Sequence, residues 1–223
     1  MTMGLLRHLS LRPDGPSLES PLAGRGMREI VEGIWTWPWF SEPHGYAFNG
    51  HLVAHAAGNV CIDPVDGGPE ILDALVARGV ATIAVTNRNH VRNAAAVRER
   101  TGARLLLHAA DADYARAQGA TIDGALVPGA YVGPFGVVGV PGKSPGEIAL
   151  HWAERRILIV GDAIIGNPPG SCAFLREKVM DDPPMLRASV RTLLTLDFDT
   201  LLVGDGTSIV GGAKEQVRRL VHT

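Results

Sequence analysis

The sequence predicts a mixed fold of strands and helices, α/β or α+β, and three observations carry that expectation. Short apolar runs rich in β-branched residues are separated by Gly, Pro and Asn clusters, the pattern of strands ended by turns. Between them lie longer stretches with apolar residues at helical spacing. Strands come first, then mixed strands and helices, and that order occurs twice over. The doubled order fits two sheets packed face to face with helices outside. With 223 residues, of which 46% are hydrophobic, the chain can supply one sizeable core.

In chain order, residues 1–26 hold Pro13, Pro16 and Pro21 among glycines and serines, and read as an irregular extension. Met27 is a plausible alternative start. A strand from Ile30 places Trp35, Trp37 and Trp39 on one face, and residues 41–45 make a loop. Residues 49–55 and 59–63 form a hairpin around Gly58, ending in Asp63. Residues 70–78 form a helix stopped by Gly79. Residues 104–108 are a strand, after which Asp111 is expected to cap a short helix. Residues 127–140 give two strands parted by Gly133-Pro134, and residues 147–152 pair with 156–160. Loops over 167–171 and 181–184 precede a helix with Met185, Leu186, Ser189, Val190, Leu193 and Leu194 inward. A strand over 200–203 and a helix over 213–221 close the chain.

A net charge of −2 gives no electrostatic case for nucleic acid or an anionic membrane surface. No apolar run approaches the ~20 residues that span a bilayer, and nothing at the N-terminus reads as secretory. Cys61 and Cys172 are too few and too distant for a disulfide framework or zinc ribbon. These features together predict a reduced, cytoplasmic protein. The oligomeric state is not legible.

The most informative stretch is residues 81–102, ATIAVTNRNHVRNAAAVRERTG. An apolar strand breaks at a polar loop, and an Ala-rich helix follows, ended by Gly102. Strand, loop and helix in that order place functional groups at the carboxyl edge of a sheet. The loop's frame resembles the metallo-β-lactamase superfamily signature, Thr-His-x-His-x-Asp-His. Aligned on Thr86, its ligand positions fall on Asn87, Asn89, Val91 and Arg92. Further markers follow in family order around that loop: Asp63 ending a strand, residues 141–146 (PGKSPG), Gly161-Asp162 and Gly204-Asp205-Gly206.

The resemblance spans the chain from about Arg28 onward. It implies an α+β, four-layer αββα sandwich over residues 27–223, with residues 1–26 outside it. In the family the position of Lys143 is usually a histidine ligand, Asp162 bridges two ions, and Asp205 is another histidine. Zinc prefers imidazole, thiolate or carboxylate donors, whereas Asn87 and Asn89 offer amides, Val91 nothing, and Arg92 and Lys143 bring cations. The expectation is a degenerate site that is not a zinc hydrolase and has no resident metal.

Three roles fit such a site. Arg92 and Lys143 could pair with Asp162 and Asp205 as a plug holding loops together. A retained cleft could bind a small anionic ligand, clamped by Arg92, Lys143 and Arg88 and oriented by Asn87 and Asn89. Alternatively, Asp162 and Asp205, with Asp63, could hold Mg²⁺ or Mn²⁺ in a divergent hydrolase. In that case His90 or Lys143 is the candidate base, although the family frame makes the His90 position a spacer directed away from the ions. Asp63 is expected to receive the Asn87 or Asn89 amides or to cap the adjacent turn, and His44 to reach the cleft mouth. His51 and His55 share a strand face and are read as pairing with each other or capping a neighbouring strand. His108 and His151 are read as bonding backbone carbonyls. Ser171 and Cys172 have no base nearby in sequence.

Overall fold

A computed structural model describes residues 26–222. The irregular extension expected over residues 1–26 lies, except for Gly26, outside the described residues. Strands β1 (Arg28–Val31), β2 (Ile34–Ser41), β3 (Tyr46–Val53), β4 (Val60–Ile62), β5 (Thr82–Val85), β6 (Arg104–Leu107) and β7 (Gly124–Ala125) form one sheet in sequence order. A second sheet runs β13 (Ile209–Val210), β12 (Thr200–Val203), β11 (Ile157–Val160), β10 (Ile148–Trp152), β9 (Phe135–Gly139), β8 (Tyr131–Val132). Helices α1 (Pro69–Arg78), α2 (Ala94–Thr101) and α3 (Ala112–Ala117) belong to the first half, and α4 (Pro183–Leu193) and α5 (Ala213–His222) to the second.

Three apolar clusters define four layers. Ile34, Val53, Ile62, Phe135, Leu150, Ile159 and Leu202 pack between the two sheets. Leu75, Ile83, Val97 and Leu105 join the first sheet to α1 and α2. Leu158, Leu186, Val190, Val203 and Val217 join the second to α4 and α5, whereas Met185, expected on the inner side of α4, is exposed. Strands buried on both faces read as continuous apolar runs, as ILIV in β11 and TLLV in β12 do. This is the αββα arrangement that the resemblance implied.

Differences from the sequence reading are local. Strand β3 starts at Tyr46, because the tryptophan strand pairs with an aromatic partner in register, Trp39 opposite Phe48. The two-residue strands β7 and β13 are too short to show a period and were not expected. Trp35, Trp37 and Trp39 share a face, but only Trp37 is fully enclosed, its indole N–H donating to the Val65 carbonyl.

The topology positions the site. Strands β4 and β5 are parallel, as are β11 and β12. Parallel neighbours end at one edge, so Asp63 and Thr86 leave the first sheet side by side, and Asp162 and Asp205 leave the second likewise. The Asn49 side-chain amide donates to the carbonyls of Val203 and Gly206, tying the two sheets together at that edge.

Candidate functional site

The loop after β5 is anchored by the carboxylate of Asp63, which accepts from the Thr86 backbone N–H at 2.8 Å and its hydroxyl at 2.6 Å. Asp63 has φ of +47°, a left-handed conformation that Asp tolerates better than most residues. The other partner of Asp63 is the Nδ1 of His90, at 2.8 Å. This corrects the expectation that Asp63 would receive the Asn87 or Asn89 amides.

His90 is also not directed away. It is fully buried, and its Nε2 lies 3.1 Å from Asp162 Oδ1 and 4.0 Å from Asp205 Oδ1. The ring fits because the residues before both aspartates are glycines. A Cβ on Gly204 would sit 2.6 Å from His90 Cε1, and one on Gly161 would sit 2.1 Å from Thr86 Oγ1. Loop and strand ends meet closer than any side chain permits.

The two cations close around this centre. Lys143 Nζ pairs with Asp162 Oδ2 at 2.8 Å and donates to Asn89 Oδ1 at 2.9 Å. Arg92 Nη2 donates to Asp205 Oδ1 at 2.9 Å, and its guanidinium lies 4.2 Å over the Phe48 ring. Asn87 faces inward, its amide 3.3 Å from Glu147 Oε1 and its carbonyl oxygen accepting from the Asn89 backbone N–H. Val91 is buried in the core beside α2.

The electrostatics follow from burial and pairing. Burial and the nearby Arg92 disfavour a charged His90, but Asp63 and Asp162 outweigh them and push its pKa up to about 10. Burial likewise opposes ionisation of Asp63 and Asp162, yet both carboxyls end below their usual range. His90 holds both down, with Thr86 assisting at Asp63 and Lys143 at Asp162. Burial dominates at Asp205, whose pKa is raised, with Asp162 adding to the rise and His90 and Arg92 opposing it. Glu147 is fully enclosed beside Asp162, and both effects push it well above the carboxylate range. Beside it three basic side chains (His90, Lys143, Arg92) face three carboxyl groups (Asp63, Asp162, Asp205).

Two carboxyls that shape the site were not singled out from the sequence. Glu147 Oε1 accepts from the Ala163 backbone N–H as well as from Asn87, fixing the turn that carries Asp162. Asp111 makes no side-chain cap bond to α3, contrary to expectation. Its carboxylate instead accepts from Arg88 N, Ser144 Oγ and Gly146 N, joining the loop of Asn87–Arg92 to the loop of Lys143. Glu147 opens an apolar strand and Asp111 precedes a helix, so neither position signals partners 16 to 60 residues away.

The remaining candidates lie elsewhere. Arg88 turns outward, its Nη2 held by both oxygens of Asp181 and its guanidinium 4.7 Å from the Tyr114 ring. His44 bonds Ser41 and packs on Tyr46 and Phe48 beside the cleft. His51 and His55 do not bond each other. His51 Nε2 meets the Val203 carbonyl, and burial lowers its pKa to about 4. His151 bonds the Asp197 carbonyl, whereas His108 accepts from the Ala110 N–H and caps a 3₁₀ turn. Above the network opens a cavity of about 460 Å³, lined by Trp39, Phe48, Val65, Asp66, Asn89, Arg92 and Asn93.

The model of one family, described as the metallo-beta-lactamase superfamily, matches residues 30–223. The chain belongs to this superfamily. Its similarity extends to a hydroxyacylglutathione hydrolase of Cereibacter sphaeroides, 34% identical over 167 residues, which are 70% of this chain and 60% of that relative's length. Among solved structures, TTHA1623 in a di-iron-bound form is 27% identical with a TM-score of 0.64, covering 81% of this chain and 98% of that one. A metallo-beta-lactamase from Erythrobacter litoralis shares the fold at a TM-score of 0.70 and 18% identity, over 88% of this chain and 95% of its own.

The superfamily implies metal, and the donor set here does not fit its two-ion site. Of the family's ligand positions only Asp162 keeps a matching donor, and it is already bonded to Lys143 and His90. Each fixed cation about 5 Å from a dication opposes it by roughly 6–7 kcal/mol at an effective dielectric near 20. Among the described residues, His90, Asp162 and Asp205 do bring three ligand atoms within 4.8 Å of one another. That triad is a different constellation from the family's. None of the described helices is long and apolar enough to cross a membrane.

Proposed function

We propose that this chain is a metal-independent member of the superfamily, whose own cations replace the ions and whose cleft binds a small anionic ligand. The observation that carries the reading is the pairing of Lys143 with Asp162 and of Arg92 with Asp205, around the charged ring of His90. A closed set of paired and hydrogen-bonded charges tolerates burial in a way that single charges do not. Zinc hydrolysis has no place in this arrangement. Elemental analysis of protein purified without chelators tests it. Substoichiometric zinc, iron, manganese and magnesium are expected, and stoichiometric zinc or iron overturns the reading.

A second reading is a divergent metal-dependent hydrolase. The proximity of His90, Asp162 and Asp205 favours it, as do the activity named for the Cereibacter relative and the iron held by TTHA1623. It requires His90 to lose its proton and Lys143 and Arg92 to leave their carboxylates. Bound Mn²⁺ or Mg²⁺ in the same measurement, with hydrolysis of a thioester such as an acylglutathione, would establish it in place of the first.

A further inference from the structure

We propose that the cavity above the ion-pair network takes a small monocarboxylate with a flat apolar body, such as an aryl-substituted alkanoate. This deepens the metal-independent reading and rests on it, because it needs Arg92 held where the structure places it.

The cavity has two kinds of wall. Trp39 and Phe48, with ring centroids 5.6 Å apart, and buried Val65 form the apolar one. Trp39 is 43% exposed, which leaves area for a flat ligand to cover. Arg92, Asn89 and Asn93 form the polar one.

Donors on that wall are only partly used. Arg92 spends Nη2 on Asp205, while Nη1 is buried without a partner among the described residues. Stacking on Phe48 fixes the guanidinium plane, so the part of Arg92 that lines the cavity is held in place at little entropic cost to a ligand. Asn89 gives its carbonyl oxygen to Lys143 and its backbone N–H to Asn87, leaving its amide donors over. Asn93 is the residue before the first turn of α2, makes no side-chain cap bond, and is followed by no acidic residue in that turn. The positive end of α2 is therefore not offset by its own cap, and an anion there is favoured.

The Arg92 guanidinium and the amides of Asn89 and Asn93 favour a head group that accepts hydrogen bonds and carries negative charge. A planar carboxylate matches a guanidinium edge and amide donors. Asp66, exposed in the same lining, opposes each added negative charge and so disfavours phosphates and dicarboxylates more than a monocarboxylate. The volume, about 460 Å³, lies in the range of small-molecule sites.

Calorimetric titration of the full chain with 3-phenylpropionate, 3-phenylpropanamide, acetate and inorganic phosphate tests the proposal. Saturable one-to-one binding of 3-phenylpropionate is expected, with the amide and acetate each weaker by at least tenfold. Trp39→Ala should weaken 3-phenylpropionate at least tenfold while leaving the thermal midpoint close to wild type, since the ring is half exposed. Arg92→Gln should do the same to affinity. If that variant does not fold, the acid–amide pair and Trp39→Ala decide the matter. Equal affinity for acid and amide, tighter binding of phosphate, or no binding by protein shown to be metal-free overturns the proposal and leaves the reading beneath it intact. Stoichiometric metal in the same preparation overturns both.

Discussion

The floor of the cleft and the outer side beyond it are built from the same short loop, yet they obey opposite rules. On the floor, Asn87 and His90 are fully buried and every charge has a partner. On the loop's outer side, Arg88 and Asn89, their immediate neighbours, reach partly exposed surroundings, and among the described residues the Asn89 amide donors have no partner. On the metal-independent reading proposed above, the difference teaches how side chains can stand where ions would within the same fold. Ions that neutralise carboxylates can be exchanged for side chains that do the same, provided the exchange is complete where water is absent. Where water is present, completeness is not required.

The largest expected effect comes from breaking the floor. His90→Ala leaves Asp63, Asp162 and Asp205 with one cation fewer in a buried setting, and should cost about 3–5 kcal/mol in urea unfolding. A loss under about 1 kcal/mol would mean the three carboxylates do not share a charged imidazole.

Titration gives the next effect. The His90 pKa is raised from 6.5 to about 10, so its contribution is complete below about pH 6.5 and is lost as pH climbs through about 10. Glu147, also raised, acts with the same sign from its lower starting point. Asp162 and Asp63, both lowered, set the acid limb, where stability falls as pH drops below the ordinary carboxylate range. Wild-type protein should therefore lose a few kcal/mol between pH 7 and 10, and His90→Ala should show a flatter alkaline limb. Parallel curves for the two proteins would contradict a protonated His90.

On the loop's outer side the smallest effect is expected. Arg88 pairs with Asp181, whose side chain is 42% exposed, and Arg88→Ala should cost no more than about 1 kcal/mol despite short contact distances. A loss matching that of His90→Ala would erase the contrast between the two regions.

Much of this was legible before any coordinates. Thr86, the two Gly-Asp pairs and Lys143 keep family spacing, so they mark the strand ends and indicate which residues replace the ligands. The charges that the family frame sets at those positions suggested that Arg92 and Lys143 could pair with Asp162 and Asp205. What a linear frame cannot carry is rotation about the loop. The frame treats position 90 as a spacer, but with Val91 drawn into the core near α2, the imidazole occupies the space between the aspartates. Asp111 and Glu147 were hidden for another reason. Their local contexts fit a helix start and a strand start, and only long-range contacts reveal them as anchors of both loops.

Phe48 bridges in antiparallel fashion to Asp205, and the Asn49 backbone N–H donates to the Gly204 carbonyl at 2.7 Å. The aromatic wall and the aspartate that holds Arg92 are thus stitched together by main chain, not by adaptable side chains. Such a seam resists hinge opening, so guests should be sorted by whether they fit an aperture of set width, and tight-fitting ones should enter without reshaping it.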